Sequence, residues 1–439
     1  MRLYTGFIVN PRPRVRASNN AQYLLDYIPD GALGVNEVGT ITFVGTRNDA
    51  LSTFPNAQII SFGEGTMLLP GLVDTHVHLP QYEAAAIGTG ELLDWLNTYI
   101  FPLEARFADD SYARDRSVRF FRDALSLGTT TMSVYCSSQA NAAERAFEVA
   151  FEVGIRVCMG KTMMDVGAPE NILFSPEQNI DDSLRVAKAW HGKDGGRLQY
   201  TLTPRFAGSC SRDLLRLTGD VARTDGFRIQ THLSENPAEL RYIAELFPEH
   251  GSYTEVYHAY GILTNRTVMA HSIYLSPQER SLLRQFDCAL SHCPCSNRFL
   301  QSGVMALRNN LREGFKIGLG TDVAGGFSLS MLNEAKEAAE SSKTWNILHR
   351  GQEVQAVSAE ETLWLATLGG AEALGLEAHI GNFAEGKEAD FIAVAENDVF
   401  PQESRFDEPS ERIARVVYGA GRHTVQATFV RGKQVFAGE

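Results

Sequence analysis

His76 and His78 stand two residues apart at the end of an apolar run, PGLVDTHVH (70–78). On an extended strand, residues i and i+2 share a face, so both imidazoles point to one side and two ring nitrogens reach one ion. Three further residues of the same chemistry end later apolar runs: His232 within THLSE, His271 within MAHS and Asp322 within GLGTD. Histidine is scarce, at 11 of 439 residues, yet four of the 11 fall at such run ends beside an aspartate. Imidazole nitrogens plus one carboxylate oxygen suit one Zn²⁺, with Fe²⁺ as a substitute, and the expected ligands are His76, His78, His232 and Asp322. Such an ion lowers the pKa of a bound water toward ~7.

Glu235 follows His232 by three residues. Just past a strand end, it could reach both the water and a substrate nitrogen, and a proton-shuttling carboxylate contributes ~10²–10⁴-fold. The commoner fate of such a glutamate is to sit in the first turn of the next helix. His271 is either another ligand or a hydrogen-bond partner of the attacking water. The second reading is favoured, because three histidines and Asp322 already fill the protein positions. A binuclear site would need a bridging carboxylate or a modified lysine near the middle strands, and the fourth run, ending TPRF, offers neither. Lys161 ends the third run and is equally well a charge partner at the rim.

Arg205 and Phe206 close the fourth run, and Gln81 follows the histidine pair. Arginine offers planar, permanently charged donors to a carbonyl oxygen. Phenylalanine offers a face to a flat ring. Glutamine carries both a donor and an acceptor. Together they describe a seat for a planar, polar heterocycle, although each alone is more often a surface or packing residue. His292, Cys293 and Cys295 form an H-C-P-C run. The zinc deaminases of the cytidine type need H-x-E with P-C-x-x-C, which is absent, so this run is expected to pack rather than to bind metal.

Eight β-branched-rich runs must carry these residues: 68–74, 129–135, 156–161, 198–206, 228–235, 267–275, 288–294 and 316–322. Most are separated by amphipathic stretches such as AERAFEVAFEVG (143–154). Eight strand–helix units over about 250 residues is the arithmetic of a (β/α)₈ barrel, an α/β fold whose catalytic residues gather at the C-terminal ends of the strands. A doubly wound sheet is the alternative, and no GxGxxG follows a first strand to support it. Both chain ends are β-rich, with GTITFVGTR (39–47), DFIAVAEN (390–397) and TVQATFVRGKQVF (424–436). The expected domains are therefore a barrel over 67–380 and one small β-sandwich formed by 1–66 and 381–439. The polar stretch 396–412 reads as a surface loop. The segment 92–107 either covers the site or builds a subunit contact.

Lysine plus arginine is 40 and aspartate plus glutamate 53, a formal charge of −13. That balance, without a basic run, argues against nucleic acid as a partner. No stretch approaches the ~20 apolar residues of a membrane span. Six cysteines in 439 residues are too sparse for a disulfide scaffold, and the expected location is the cytoplasm with thiols reduced.

The segments PGLVDTHVHLPQY (70–82), EARF (104–107), TPRFAGSCS (203–211), THLSEN (231–236), HCPCSN (292–297), GLGTDVAGG (318–326) and LATLGGAEALGL (365–376) resemble the guanine deaminases of the amidohydrolase superfamily. The H-x-H and aspartate positions mark the superfamily; TPRF and H-x-x-Q-Y mark guanine deaminases within it. The resemblance implies a zinc-dependent hydrolase of purine catabolism, usually a homodimer, that converts guanine to xanthine and ammonia. It implies zinc on His76, His78, His232 and Asp322, one ion per subunit. Gln81, Arg205 and Phe206 would hold the purine, with His78, His232, Glu235 and Asp322 bordering it. Glu235 would move protons, and His271 and Asp322 would share the proton of the attacking water. Leu79 and Cys295 depart from the familiar pattern and bear on fine substrate preference. Another amino-heterocycle (8-oxoguanine, a pterin or an aminotriazine) is the alternative substrate, and an inactive scaffold is the more distant reading.

Overall fold

The computed structural model describes residues 1–14, 24–88, 92–352, 354–399 and 407–438. The N-terminal strands are β1 (Arg2–Pro11), β2 (Leu25–Val35), β3 (Ile41–Thr46), β4 (Gln58–Ser61) and β5 (Thr66–Pro70). The barrel strands follow: β6 (Leu72–His78), β7 (Thr129–Cys136), β8 (Arg156–Met163), β9 (Leu198–Pro204), β10 (Arg228–Leu233), β11 (Thr267–His271), β12 (Ala289–His292) and β13 (Lys316–Leu319). The C-terminal strands are β14 (Phe391–Ala395), β15 (Val425–Val430) and β16 (Lys433–Ala437).

β6 to β13 pair in chain order, every neighbour parallel, as eight βα units require. Their runs are apolar and β-branched because both faces are covered, one by side chains filling the barrel and the other by helices. The helix Ala140–Val153 is typical: its buried alanines, Phe147 and Val149 face the strands, and it stops at Gly154, whose φ of 86° suits glycine. β6 and β13 close the ring. Thr75 Oγ1 donates to the Leu319 carbonyl (2.9 Å), and the Asp322 amide donates to the His76 carbonyl (2.8 Å). Closure thus places the first and eighth strand ends side by side, with His76 and Asp322 at the join.

The two chain ends form one mixed sheet in the order β16-β15-β14-β5-β1-β2-β3, with β4 on β1. Its aromatic core stacks Phe391 on Phe429 at 4.3 Å, with Tyr4 edge-on to both. Arg156, at the start of β8, is buried and bonds Asp390 (3.0 and 3.1 Å) and Glu388, tying the barrel to this sheet.

Two sequence expectations need correction. The run 68–74 is not one strand. β5 belongs to the terminal sheet and β6 to the barrel, and the chain changes sheets at Gly71, where a Cβ would lie 2.1 Å from Thr130 Oγ1. The stretch 396–412 is not simply a loop: Glu396–Asp398 is a 3₁₀ turn and Pro409–Gly419 a helix. The helix was hidden because its buried stripe, Ile413, Val416 and Val417, lies beyond the polar stretch. Residues 400–406 lie outside the described residues. No described helix is long and apolar enough to cross a membrane. All six cysteines are buried and free.

Candidate functional site

Five side chains from four strand ends converge. The ligand atoms of His76, His232, His271 and Asp322 lie within 4.8 Å of one another. His78 joins them, its Nε2 3.1 Å from His232 Nε2 and 3.3 Å from Asp322 Oδ1. His76 Nε2 lies 3.1 Å from the same Asp322 oxygen. The period of a strand puts His76 and His78 on one face, and Thr75 and Val77 on the other.

The hydrogen bonds leave these rings with lone pairs facing inward. His232 Nδ1 meets the Arg205 carbonyl at 2.6 Å, and His271 Nδ1 meets Asn297 Oδ1 at 2.8 Å. A carbonyl oxygen only accepts, so each Nδ1 carries the proton and each Nε2 is free to coordinate. The Nε2 atoms of His76 and His271 are buried and have no hydrogen-bond partner. Such an orphan is costly unless something else satisfies it; a divalent ion fits the His76 nitrogen, and a polar guest in the adjoining pocket fits the His271 one. Burial lowers the His76 pKa, takes His78 down to about 3 and holds His232 well below the usual imidazole range, with neighbouring imidazoles adding to the last two. Asp322 is pushed up by burial, but the surrounding histidines win and hold it well below the usual carboxylate range. Neutral imidazoles beside an ionised aspartate are the protonation states a metal centre requires.

The backbone is shaped for this purpose. Ser234, His271, Ser272 and Asp322 all have φ between 46° and 65°, a region non-glycine residues seldom occupy. Four of them around one centre is how sites store local strain. Asp74, buried within β6, accepts from the Thr321 amide (3.1 Å), the Thr321 hydroxyl (2.5 Å) and the His76 amide (3.1 Å), so it ties the segment carrying His76 to the one carrying Asp322.

A pocket adjoins the donors, walled by His78, Gln81, Arg205, Phe206, His232, Glu235 and Asp322. Glu235 does not take the first-turn role. The following helix, Pro237–Leu246, is capped by Asn236, while Glu239 accepts the Glu235 and Asn236 amides. That frees the Glu235 carboxyl to face the pocket. Its Oε1 accepts from Ser302 Oγ (3.0 Å), and its Oε2 lies 3.5 Å from His271 Nε2. Burial, reinforced by Asp322, raises its pKa to about 8, so this group holds a proton near neutral pH. Leu92, Leu93, Trp95 and Leu96 also border the pocket, so the segment 92–107 covers the site.

A model of the amidohydrolase family matches residues 67–435. The chain belongs to the amidohydrolase family. Among its members it is similar to the guanine deaminase of Escherichia coli, at 34% identity over 94% of this chain and 92% of that one. It is equally similar to the guanine deaminase of Homo sapiens, at 34% identity over 94% and 93%. Among solved structures, guanine deaminase from C. acetobutylicum, with guanine bound in its active site, superposes with a TM-score of 0.91 at 27% identity, covering 99% and 100% of the two chains. An amidohydrolase is metal-dependent, and the histidine–aspartate cluster suits that chemistry.

All the residues expected from the sequence of this amidohydrolase reach one centre: His76, His78, His232, His271 and Asp322 at the donors, and Gln81, Arg205, Phe206 and Glu235 around the pocket. His292, Cys293 and Cys295 are buried and stay outside the donor group. The same segment contributes through its next two residues: Ser296 donates to Asp322 Oδ2 (2.6 Å), and Asn297 orients His271. Lys161 is buried, and its Nζ donates to the Asn179 amide oxygen (2.8 Å) rather than to a rim carboxylate. Sequence reasoning missed Asp74, Asn297, Ser302 and, above all, Glu104. The last is buried and bonded to both Gln81 and Arg205.

Proposed function

We propose that this protein is a hydrolase that deaminates guanine, giving xanthine and ammonia, with one zinc ion per subunit held by His76, His78, His232 and Asp322. The observation that carries the proposal is the juxtaposition of unpartnered histidine nitrogens, an ionised aspartate and a proton-holding glutamate at one end of a pocket edged by arginine, glutamine and phenylalanine. When bound, the ion supplies Lewis acidity that makes water a nucleophile near neutral pH.

The chain's own groups then do the following. Phe206 offers a ring face to the purine, and Arg205 donates to its carbonyl oxygen. Gln81 holds an adjacent edge. Glu235 gives its proton to a ring nitrogen, which makes C2 electrophilic. Water adds at C2, and its proton passes by way of Asp322 and His271 to the pocket carboxylate. Glu235 then protonates the exocyclic amine, the C2–N bond breaks and ammonia leaves, and the added hydroxyl, becoming the new carbonyl, returns its proton to Glu235 by way of Asp322. Water enters and ammonia departs, so no redox partner is needed. The likeness to guanine deaminases over nearly the whole chain supports guanine over other amino-heterocycles.

The test is to incubate the zinc-loaded protein with guanine, following loss of guanine absorbance and release of ammonia. 8-Oxoguanine, a pterin and an aminotriazine run in parallel. Guanine with the highest kcat/KM supports the reading; a different substrate favoured tenfold or more refutes it. The same reading has the protein act as a homodimer in the cytoplasm, which sedimentation and cell fractionation check.

A further inference from the structure

Glu104 lies in the helix Phe101–Ala105, within the segment that covers the pocket, and is only 2% exposed. Its Oε1 accepts from Gln81 Nε2 (3.0 Å) and from Arg205 Nη1 (2.8 Å), and its Oε2 accepts from the same Nη1 (2.8 Å). Arg205 is equally buried, at 3%, and its guanidinium packs over the Phe101 ring at 5.4 Å. Glu104 thus touches two of the side chains that edge the pocket, Gln81 and Arg205, and none of the metal donors.

Two consequences follow from the chemistry. A carboxylate only accepts, so the Gln81 amide must turn its nitrogen toward Glu104. That leaves Gln81 Oε1 on the other side, where the Ala324 amide approaches it at 3.4 Å. A substrate therefore meets a glutamine of fixed polarity. Arg205 binds Glu104 through Nη1 alone, and among the described residues Nε and Nη2 make no hydrogen bond. The guanidinium keeps donors for a carbonyl oxygen, while its charge is cancelled by the partner behind it. A buried cation without that partner would draw an anion into the pocket, because an uncompensated buried charge is strongly unfavourable.

We propose that Glu104 is a positioning and specificity-determining residue: it sets the direction of the Gln81 amide and neutralises Arg205, so that the pocket selects an uncharged oxopurine over an anionic one. This rests on the reading above that a purine occupies the pocket. It adds that selection is by charge, and that the cover segment makes the selection.

The test uses the full-length, metal-loaded protein and two purines lacking the reactive amine, so that binding is measured apart from turnover. Hypoxanthine is the neutral probe and urate, a monoanion at neutral pH, the charged one; both are titrated by calorimetry. The wild type is expected to bind hypoxanthine at least as tightly as urate. Glu104→Gln, of nearly the same shape, is expected to shift the urate-to-hypoxanthine affinity ratio by about tenfold toward urate, with zinc content unchanged. Its KM for guanine should rise more than its kcat falls, because Glu104 touches no reacting atom. The double variant Glu104→Gln with Arg205→Met removes both charges and should abolish the advantage of urate. An unchanged ratio in Glu104→Gln overturns the proposal. So does a wild type that prefers urate tenfold, a result that needs no variant to fold. A wild type with the expected charge preference that leaves guanine intact refutes the reaction and leaves the role of Glu104 standing.

Discussion

Replacing Glu235 by Gln separates the cost of this carboxyl to stability from its benefit to catalysis. In the metal-free chain its pKa stands at about 8, against an ordinary 4.5, because burial and the nearby Asp322 oppose its charge. A carboxyl with a raised folded-state pKa keeps its proton in the folded state while the unfolded chain has lost it. Its contribution to stability is complete below pH 4.5 and is lost as pH rises toward 8. Each pH unit in that window is worth about 1.4 kcal/mol. Between pH 5 and 7.5 the wild-type apoprotein should therefore lose about 3 kcal/mol more stability than Glu235→Gln, which does not titrate. Other buried acids, such as Glu334, occur in both proteins and cancel in the difference. Urea unfolding of both metal-stripped proteins at the two pH values measures it. The glutamine can keep the Ser302 hydroxyl bond, so zinc binding should persist while kcat falls by ~10²–10⁴. Parallel pH dependences in the two apoproteins, or full turnover by the variant, would refute the assignment of Glu235 as a buried proton carrier.

Other expected outcomes follow from the same contacts. Arg156→Met leaves the buried Asp390 without its guanidinium at the joint between barrel and terminal sheet, while Glu388 keeps Arg431; loss of a buried partner costs about 3–5 kcal/mol, read as a lowered urea midpoint. Asn297→Ala frees the His271 ring, and activity should fall ~10–100-fold without loss of fold, checked by kcat alongside circular dichroism. Gly326→Ala places a Cβ 1.8 Å from the Thr321 carbonyl, so the loop carrying Asp322 must move; elemental analysis should show a reduced zinc content.

The parts of this site that can be read along the chain are those tied to a repeating geometry. His76 and His78 are visible because a strand has a period of two, and His232, His271 and Asp322 because each ends an apolar run. Glu104 and Ser302 carry no such mark. They reach their partners across 101 and 67 residues of chain, through the way the cover segment and a loop fold back. Glu104 reads locally as one of two charged residues in EARF, and only tertiary folding puts it behind Arg205. The strand order of the barrel follows from counting units. The junction at Gly71 does not, because the apolar residues on either side of Pro70 and Gly71 read together as one strand. The helix Pro409–Gly419 was obscured for the opposite reason, its polar first turn continuing a polar stretch.

Elemental analysis of the purified protein, with guanine turnover followed on the same samples before and after chelation, bears most directly on the assignment of the five converging side chains. The prediction is one zinc ion per chain, loss of ammonia release as it is withdrawn, and recovery when zinc alone is returned. Undiminished turnover in chains stripped of metal would contradict it.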